Sequence, residues 1–173
     1  QGLTQRSNLK RNALIIAIQH RRENIAQILI KKMKDDPKDL NISDWHNDSA
    51  LICAISRSME GIVETLLPYT TVKHLLHTDQ YGKNALLTAI YKGDSPLALT
   101  LIKKMKDESI DFRTKGLSKN EYLLWAIQHK MQEVFHILLP DAKRAHLTAK
   151  TLANETPLIY AIKNGNEDIA KAL

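Results

Sequence analysis

Short apolar stretches recur along this chain at a nearly constant spacing. The first reads NALIIAIQ (Asn12 to Gln19), and four near-copies follow it: SALICAIS, NALLTAIY, EYLLWAIQ and TPLIYAIK. Aligned on their shared leucine, the five stretches lie 37, 35, 37 and 35 residues apart. A fixed period of this length is typical of a solenoid, in which each repeat packs only against its neighbours.

Each unit has the same apolar positions, and their spacing is helical. An alanine comes three residues after the shared leucine, an aliphatic residue follows eight later, and another leucine lies four further on. In chain order the leucines are Leu14, Leu51, Leu86, Leu123 and Leu158, the alanines Ala17, Ala54, Ala89, Ala126 and Ala161, the aliphatic residues Ile25, Ile62, Leu97, Val134 and Ile169, and the last leucines Leu29, Leu66, Leu101, Leu138 and Leu173. Steps of three and four residues stay on one face of an α-helix, so each unit is predicted to contain two helices.

Turn and cap residues indicate where the helices begin and end. Thr156-Pro157 and Ser95-Pro96 each read as an N-cap followed by proline in the first turn. Gly93 and Gly165 lie between paired helices, where a tight turn favours glycine. The other three units carry a different residue at this position: Arg21, Ser58 and Lys130. Each unit therefore reads as helix, short turn, helix and a longer connection.

The segment DQYGKNALLTAI (Asp79 to Ile90) resembles the ankyrin repeat, whose pattern runs Asp-x-x-Gly-x-Thr-Pro-Leu-His-x-Ala-Ala. DWHNDSALICAI (Asp44 to Ile55) is similar, with Asn47 in place of the glycine, and asparagine tolerates a left-handed backbone. The segment ANETPLIYAIKNGNEDIAKAL keeps the Thr-Pro-Leu and the turn glycine. The resemblance implies an all-α, ankyrin-like helical-repeat solenoid whose inner helices are the five near-copies.

Two departures from the family pattern change the expected fold. Aliphatic residues replace the family's histidine in every unit, which implies a more aliphatic core: Ile15, Ile52, Leu87, Leu124 and Ile159. LIKKMKD and LLP each occur twice at an offset of 72 residues, which indicates that two units were duplicated as a pair. Thr71 to His77 and Asp141 to Leu147 read as an extra short helix in the longer connections. We therefore expect the family's β-hairpin fingers to be reduced.

The repeat pattern also divides the chain. Residues 3–173 are expected to form one array, with units at about 7–43, 44–78, 79–115, 116–150 and 151–173, whereas Gln1-Gly2 reads as the remnant of an expression tag. The last unit stops inside its second helix, which is apolar rather than polar on its outer face. Because solenoids need polar capping units for solubility, we expect the chain to be a piece of a longer protein.

Composition narrows the possible partners. The 173 residues are 43% apolar and 25% charged, with a formal net charge of +6. That charge could attract nucleic acid, an acidic partner or anionic lipid, but lysines at helix ends also complement the helix dipole and keep the surface solvated. We favour the second interpretation. No stretch reaches the roughly 20 apolar residues of a membrane span. The prediction is a monomeric array with a protein partner, no nucleic acid and no membrane span.

The sequence carries no recognisable catalytic or cofactor-binding motif. The lone Cys53 fits a reducing compartment and hence an intracellular, cytoplasmic location. His74 and His77 are spaced as metal ligands could be, but His74 recurs with the repeat as His146, which favours a structural role. We predict no catalytic, cofactor-binding or metal-binding residues.

Ankyrin arrays usually bind partners through a concave face, formed by the exposed stripe of the inner helices and the tips of the connections before them. Carried over to this sequence, the resemblance implies these partner-binding residues: Trp45, His46, Arg57, Tyr81, Lys92, Tyr122, Trp125, His129 and Tyr160. The same stripe includes Cys53 and Thr88. Tyr122, Trp125 and Tyr160 could form one aromatic patch, or Trp125 and Tyr160 could fill space between wider repeats.

The function expected from this resemblance is a non-catalytic protein–protein interaction scaffold. One alternative is a targeting module of a larger enzyme or effector whose catalytic domain lies outside this sequence. Divergent, lysine-rich arrays resemble those of effector proteins that intracellular bacteria deliver into host cells. A third alternative is a nucleic-acid or lipid binder that relies on the basic surface.

Overall fold

The structure is a computed structural model that describes residues 13–34, 40, 43–44, 46–110, 121–142, 147–148, 150 and 154–173. Among these residues the regular structure is helical, apart from one isolated antiparallel bridge between Ser43 and Ser49. The predicted all-α repeat solenoid with reduced fingers is confirmed. Gln1-Gly2, Trp45 and His146 lie outside the described residues.

Each described unit has an inner and an outer helix. The inner helices are α1 (Ala13–Gln19), α3 (Ala50–Ser56), α6 (Ala85–Tyr91), α8 (Glu121–Gln128) and α10 (Pro157–Lys163). The outer helices are α2 (Glu23–Met33), α4 (Glu60–Leu66), α7 (Ser95–Asp107), α9 (Gln132–Leu138) and α11 (Glu167–Ala172). A short helix, α5 (Val72–Leu76), lies within the segment from Thr71 to His77, as predicted. Its predicted duplicate at Asp141 to Leu147 falls mainly on residues that are not described.

The turn between the paired helices has the same geometry in every unit. Its residue adopts a left-handed backbone throughout, with φ of 53° at Arg21, 53° at Ser58, 73° at Gly93, 54° at Lys130 and 67° at Gly165. The carbonyl of each repeat alanine accepts a hydrogen bond from the residue five positions ahead, as in the 2.8 Å bond from Arg22 N to Ala17 O. This is a Schellman-type helix ending. Three units therefore keep the turn without glycine, at a cost in backbone strain.

The hydrophobic core runs along the array, between successive units. The inner helices pack in the order α1, α3, α6, α8 and α10. All five repeat alanines are at most 5% exposed, because a small side chain lets neighbouring helices approach closely. The aliphatic residues that replace the family's histidine are buried at Ile15, Ile52 and Leu87. The expected aliphatic core is thus present in the first three units.

Two of the repeated apolar positions are exposed in one unit only. Leu158 is 41% exposed, although its four equivalents are buried. Ile25 is 52% exposed, whereas its equivalents in the other units are buried or partly buried. The other units pack against a neighbour on both sides, whereas Leu158 has no described unit after it and Ile25 has none before it.

Two N-caps were predicted immediately before a proline, and the structure confirms the one at Thr156. The Thr156 side chain accepts a hydrogen bond from Ile159 N at 3.4 Å, as predicted. The predicted cap at Ser95 is wrong by one residue, because α7 begins at Ser95 and Asp94 caps it. Asp94 Oδ1 accepts from Leu97 N at 3.1 Å. The side chain that caps the N-terminus of α7 is therefore a carboxylate.

Replacing Ala89 with phenylalanine should destabilise the array by roughly 1–3 kcal/mol, because the added ring overpacks the contact between inner helices. Ala89 is fully buried, whereas Lys103 on α7 is exposed and offers a matched control. Lys103→Phe should leave the unfolding midpoint in urea nearly unchanged. Equal midpoints for the two variants would contradict the stacked arrangement.

Replacing Lys130 with glycine should stabilise the fold by about 0.5–1 kcal/mol, because relief of the left-handed strain exceeds glycine's entropic penalty. Gly165→Ala is the reverse control: apart from its chain neighbours, no residue has an atom within 4 Å of the added Cβ, so its effect reports the backbone conformation. We expect it to destabilise by a similar amount in urea unfolding. If neither variant shifts the midpoint, the left-handed turns carry no strain.

Candidate functional site

The connection before α3 is a compact turn organised by one aspartate. Asp44 Oδ1 accepts hydrogen bonds from the backbone N–H groups of His46 and Asp48, both at 2.9 Å. Asn47 takes a left-handed φ of 63°, as expected from its place in the family pattern. The turn is therefore fixed by local bonds, and it presents His46 at its tip.

The connection before α6 repeats this arrangement. Asp79 Oδ1 accepts from Tyr81 N at 2.8 Å and from Lys83 N at 2.7 Å. Gly82 adopts a φ of 77°, which suits glycine. The turn holds Tyr81 in solvent, with 72% of its surface exposed.

Hydrogen bonds join the two turns into one surface. Gln80 N donates to His46 O at 2.9 Å, and the side chains meet where His46 Nδ1 lies 3.1 Å from Gln80 Oε1. Further along, His77 Nε2 lies 2.7 Å from Asn47 O, and Asn47 Nδ2 donates to Thr78 O at 2.6 Å. His46 therefore helps to position its neighbouring turn.

Two predicted site residues also connect the inner helices. Arg57 Nε donates to Gln19 O at 3.4 Å, and Lys92 Nζ donates to Ser56 O at 3.2 Å. Each cation thus lies at the C-terminus of the preceding inner helix, where the helix dipole favours positive charge. The two bonds are equivalent in successive repeats.

The aromatic side chains form a continuous strip that we define as Tyr81, Tyr91, Trp125 and His129. Tyr91 and Trp125 meet edge to face, with ring centroids 4.7 Å apart, and Trp125 stacks with His129 at 6.1 Å. Lys83 Nζ lies 4.4 Å from the Tyr91 centroid and 5.3 Å from that of Tyr81. This cation–π contact connects the turn to the helices.

His129 reaches the strip because of a glycine in the preceding unit. A Cβ at Gly93 would lie 3.0 Å from His129 Nδ1. The turn between α6 and α7 therefore leaves room for the imidazole. Gly93 therefore has two roles: it leaves room for the His129 ring, and it adopts the left-handed backbone of the turn.

The structure brings part of the predicted site together. Trp125, His129 and Tyr81 belong to the strip, whereas no ring contact joins Trp125 to Tyr160 within the described residues. The Tyr160 hydroxyl instead donates to Gln128 Oε1. Tyr122 is half-buried. The single patch of Tyr122, Trp125 and Tyr160 is not the arrangement of the rings, although Trp125 is partly exposed as expected.

Two residues of the expected exposed stripe are buried. Cys53 is 0% and Thr88 4% exposed, so their placement on the partner-binding stripe is wrong. Their side chains are small enough to be covered by the neighbouring inner helices. Trp125 at the equivalent position extends beyond that cover.

Sequence reasoning missed Tyr91 and Lys83. Tyr91 is 43% exposed and occupies the last position of an inner helix. The equivalent positions in the other units are all polar: Gln19, Ser56, Gln128 and Lys163. Polar residues in four of the five units indicate an exposed position, so the aromatic residue of the third unit could have been recognised from the sequence as a candidate binding residue. Lys83 lies in a turn, where helical periodicity gives no information.

One group of described residues has the composition of a metal site. The ligand atoms of Asp44, Asp48 and Cys53 lie within 4.8 Å of one another. Asp44 is already engaged in its turn, and its Oδ2 accepts from Gln19 Nε2 at 2.7 Å. Burial, together with the nearby Asp48 and Asp44 carboxylates, raises the pKa of Cys53 to about 12. Burial also raises the pKa of Asp48. A protonated thiol is a poor ligand, which favours a structural role for this group.

His74 and His77 make the structural contacts that the repeat suggested. Thr71 N donates to His74 Nδ1 at 2.9 Å, and the Thr71 side chain completes a capping box at the start of α5. His77 bonds to the backbone of the preceding turn. The two imidazoles therefore act on different elements.

The basic runs lie where the sequence placed them. Lys31 and Lys32 are in the last turn of α2, and Lys104 and Lys106 are in the last turn of α7. These positions complement the helix dipoles. None of the described helices combines the length and the apolar character needed to cross a membrane.

Residues 2–74 match the family model described as ankyrin repeats (3 copies). No curated protein matches the chain by sequence. Among solved structures, EF0377, an ankyrin repeat protein, is 22% identical with a TM-score of 0.66, and the match covers 99% of this chain and 83% of EF0377.

A second similar structure is the ankyrin repeat domain of Bcl-3, a member of the IkappaB protein family. It is 18% identical with a TM-score of 0.66, and the match covers 93% of this chain and 69% of that domain. At these identities the two structures show a shared fold.

Cys53 should be nearly inert to iodoacetamide at pH 8 in the folded protein. With a pKa of about 12, its thiolate fraction is roughly a thousandfold below that of a free thiol. Alkylation in denaturing urea is the control and should be fast. Folded and unfolded rates within tenfold of each other would contradict the burial.

Proposed function

We propose that this chain, an ankyrin-repeat array by the sequence of residues 2–74 and by its fold, is a non-catalytic scaffold that binds a partner protein through its concave face. Ankyrin repeats are generally protein–protein interaction modules. The aromatic strip is the observation that carries the proposal, because its members are exposed or partly exposed and ordered by ring contacts, and lie on the inner helices, just after α8 and in the turn before α6.

The strip has the chemistry of a binding hot spot. Aromatic side chains dominate the energetics of protein interfaces when they are desolvated by a partner. Trp125 is held between Tyr91 and His129, so it has less rotamer freedom to lose on binding than an isolated side chain. Tyr81 extends the same surface along the turn.

Charged residues beside the strip suggest the character of the partner surface. Lys83 contacts two rings of the strip, and Arg57 and Lys92 follow the inner helices in the preceding repeats. We therefore propose a partner with an apolar centre and an acidic rim. His46 and Tyr160, each held by a hydrogen bond, lie at the two ends of the proposed surface.

The proposed scaffold acts inside a cell. Cys53 is the chain's one cysteine and is buried as a free thiol, which suits a reducing compartment. If the array is the targeting module of a larger enzyme or effector, the binding surface is the same. The experiment on the strip therefore addresses both versions of the proposal.

Trp125→Ala should weaken partner binding by about 2 kcal/mol or more, roughly thirtyfold, as expected for a hot-spot aromatic. The loss of folding stability should be smaller, because the indole is only partly buried. The measurement is calorimetric titration with the partner isolated by affinity capture on the wild-type chain. Lys103→Ala, on the outer face, is the control and should bind normally.

Fluorescence quenching gives an independent reading of the same site. In a Trp45→Phe background, acrylamide should quench Trp125 in the free chain and lose access when the partner binds. A Trp125 that resists quenching in the free chain, with a stability loss of about 3–5 kcal/mol on truncation, would identify it as core. That result would remove the strip from the proposed surface.

A further inference from the structure

The 72-residue offset between recurring segments gives this molecule an internal comparison. Helix α4 corresponds to α9, and the start of α7 corresponds to the start of α11, each 72 residues later. Helices α9 and α11 pack against each other, as do α2 with α4 and α7 with α9. Helices α4 and α7, which are described in full, make no comparable contact. The outer helices of units two and three are therefore less closely packed than those of units four and five; we call them the open pair and the closed pair.

Two hydrogen bonds connect the closed pair of units. Gln132 Nε2, at the start of α9, donates to Asp168 Oδ2 at 3.2 Å. Asn166 Nδ2, just before α11, donates to Ile127 O on the preceding inner helix at 2.6 Å. Both donors are side-chain amides, and both bonds cross the boundary between units.

Neither bond can form in the open pair. Glu60 stands where the closed pair has Gln132, and Pro96 stands where it has Asp168. Asp94 replaces Asn166, and its carboxylate caps α7 instead of reaching the preceding unit. An ionised carboxylate accepts hydrogen bonds but cannot donate them, so neither boundary bond of the closed pair has an equivalent in the open pair.

The opening forms a groove of about 350 Å³ between α4 and α7. Its apolar lining comes from Val63, Leu67 and Leu97. Glu60, Glu64 and Asp94 place carboxylates around it, and none of the described lining residues is basic. The volume falls within the range of ordinary ligand sites.

We infer that this groove binds a basic segment of a partner protein, through an arginine or lysine together with a neighbouring aliphatic side chain. The cationic head pairs with the three carboxylates, and the aliphatic stem packs on the apolar lining. Charge complementarity selects this occupant: an acidic segment would be repelled locally, although the chain as a whole carries +6. The groove lies between outer helices, so it is separate from the aromatic strip.

The test uses fluorescein-labelled peptides in which arginine or lysine alternates with leucine, compared with peptides that carry glutamate at the basic positions. The net charge of +6 disfavours non-specific binding of cationic peptides, so their binding reports the groove. By fluorescence anisotropy at about 150 mM salt, the basic peptides should bind at least tenfold more tightly than the acidic ones. If none of the basic peptides binds at protein concentrations up to the millimolar range, the inference is overturned.

Variants separate local charge from overall charge. Glu60→Gln, Glu64→Gln and Asp94→Asn together should weaken basic-peptide binding at least tenfold. A matched control neutralises three exposed acidic residues outside the groove: Asp107→Asn, Glu108→Gln and Glu133→Gln. The control should change the affinity less than twofold. Equal losses in both triple variants would show attraction by overall charge and overturn the site.

A third variant tests the opening without changing net charge. Glu60→Gln with Pro96→Asp recreates the amide–carboxylate pair of the closed units, and it should abolish peptide binding while the unfolding midpoint is kept or raised. Trp125→Ala should bind the basic peptides normally, which keeps this result independent of the concave surface. Unchanged binding in the Glu60→Gln, Pro96→Asp variant would exclude the groove as the site.

Discussion

Contact between successive inner helices is the interaction on which the rest of this structure depends. Helices α1, α3, α6 and α10 each have seven residues, about half the length at which an isolated helix becomes marginally stable in water. Each exists because its neighbours cover it, and the repeat alanines allow that contact by leaving no bulk between the helices. Stability is consequently shared among the interfaces of the array.

The same constraint frees the solvent side of the inner helices for binding. Packing fixes the position of each helix through its buried face, so a side chain on the other face is positioned without being needed for the fold. Tyr91 and Trp125 lie in adjacent repeats, and the spacing between α6 and α8 brings their rings to 4.7 Å. A pair of rings held in this way can meet a partner with little reorganisation.

Periodicity predicted the helices well, because they follow from local chemistry repeated five times, whereas glycine marked only two of the five left-handed turns between paired helices. Periodicity predicted side-chain exposure less well, as three residues at equivalent positions of the repeat show. Cys53 and Thr88 are buried there, whereas Trp125 is half-exposed. The repeat aligns these residues, but the size of the side chain decides whether the neighbouring helices cover it. Lys83 belongs to a turn, and its contact with Tyr91 depends on distances that a linear pattern does not contain.

Comparison of equivalent residues in different units also shows what a single substitution changes physically. Asn166 is 5% exposed and tolerates burial because its amide donates across the boundary. A carboxylate at the same depth would lose hydration without gaining a donor, which is costly unless a cation compensates it. Asp94 avoids this cost by capping α7 beside an open boundary. The exchange of amide for acid therefore has two linked effects: it removes a hydrogen bond that crosses the boundary between units, and it supplies a negative charge that a basic side chain would neutralise.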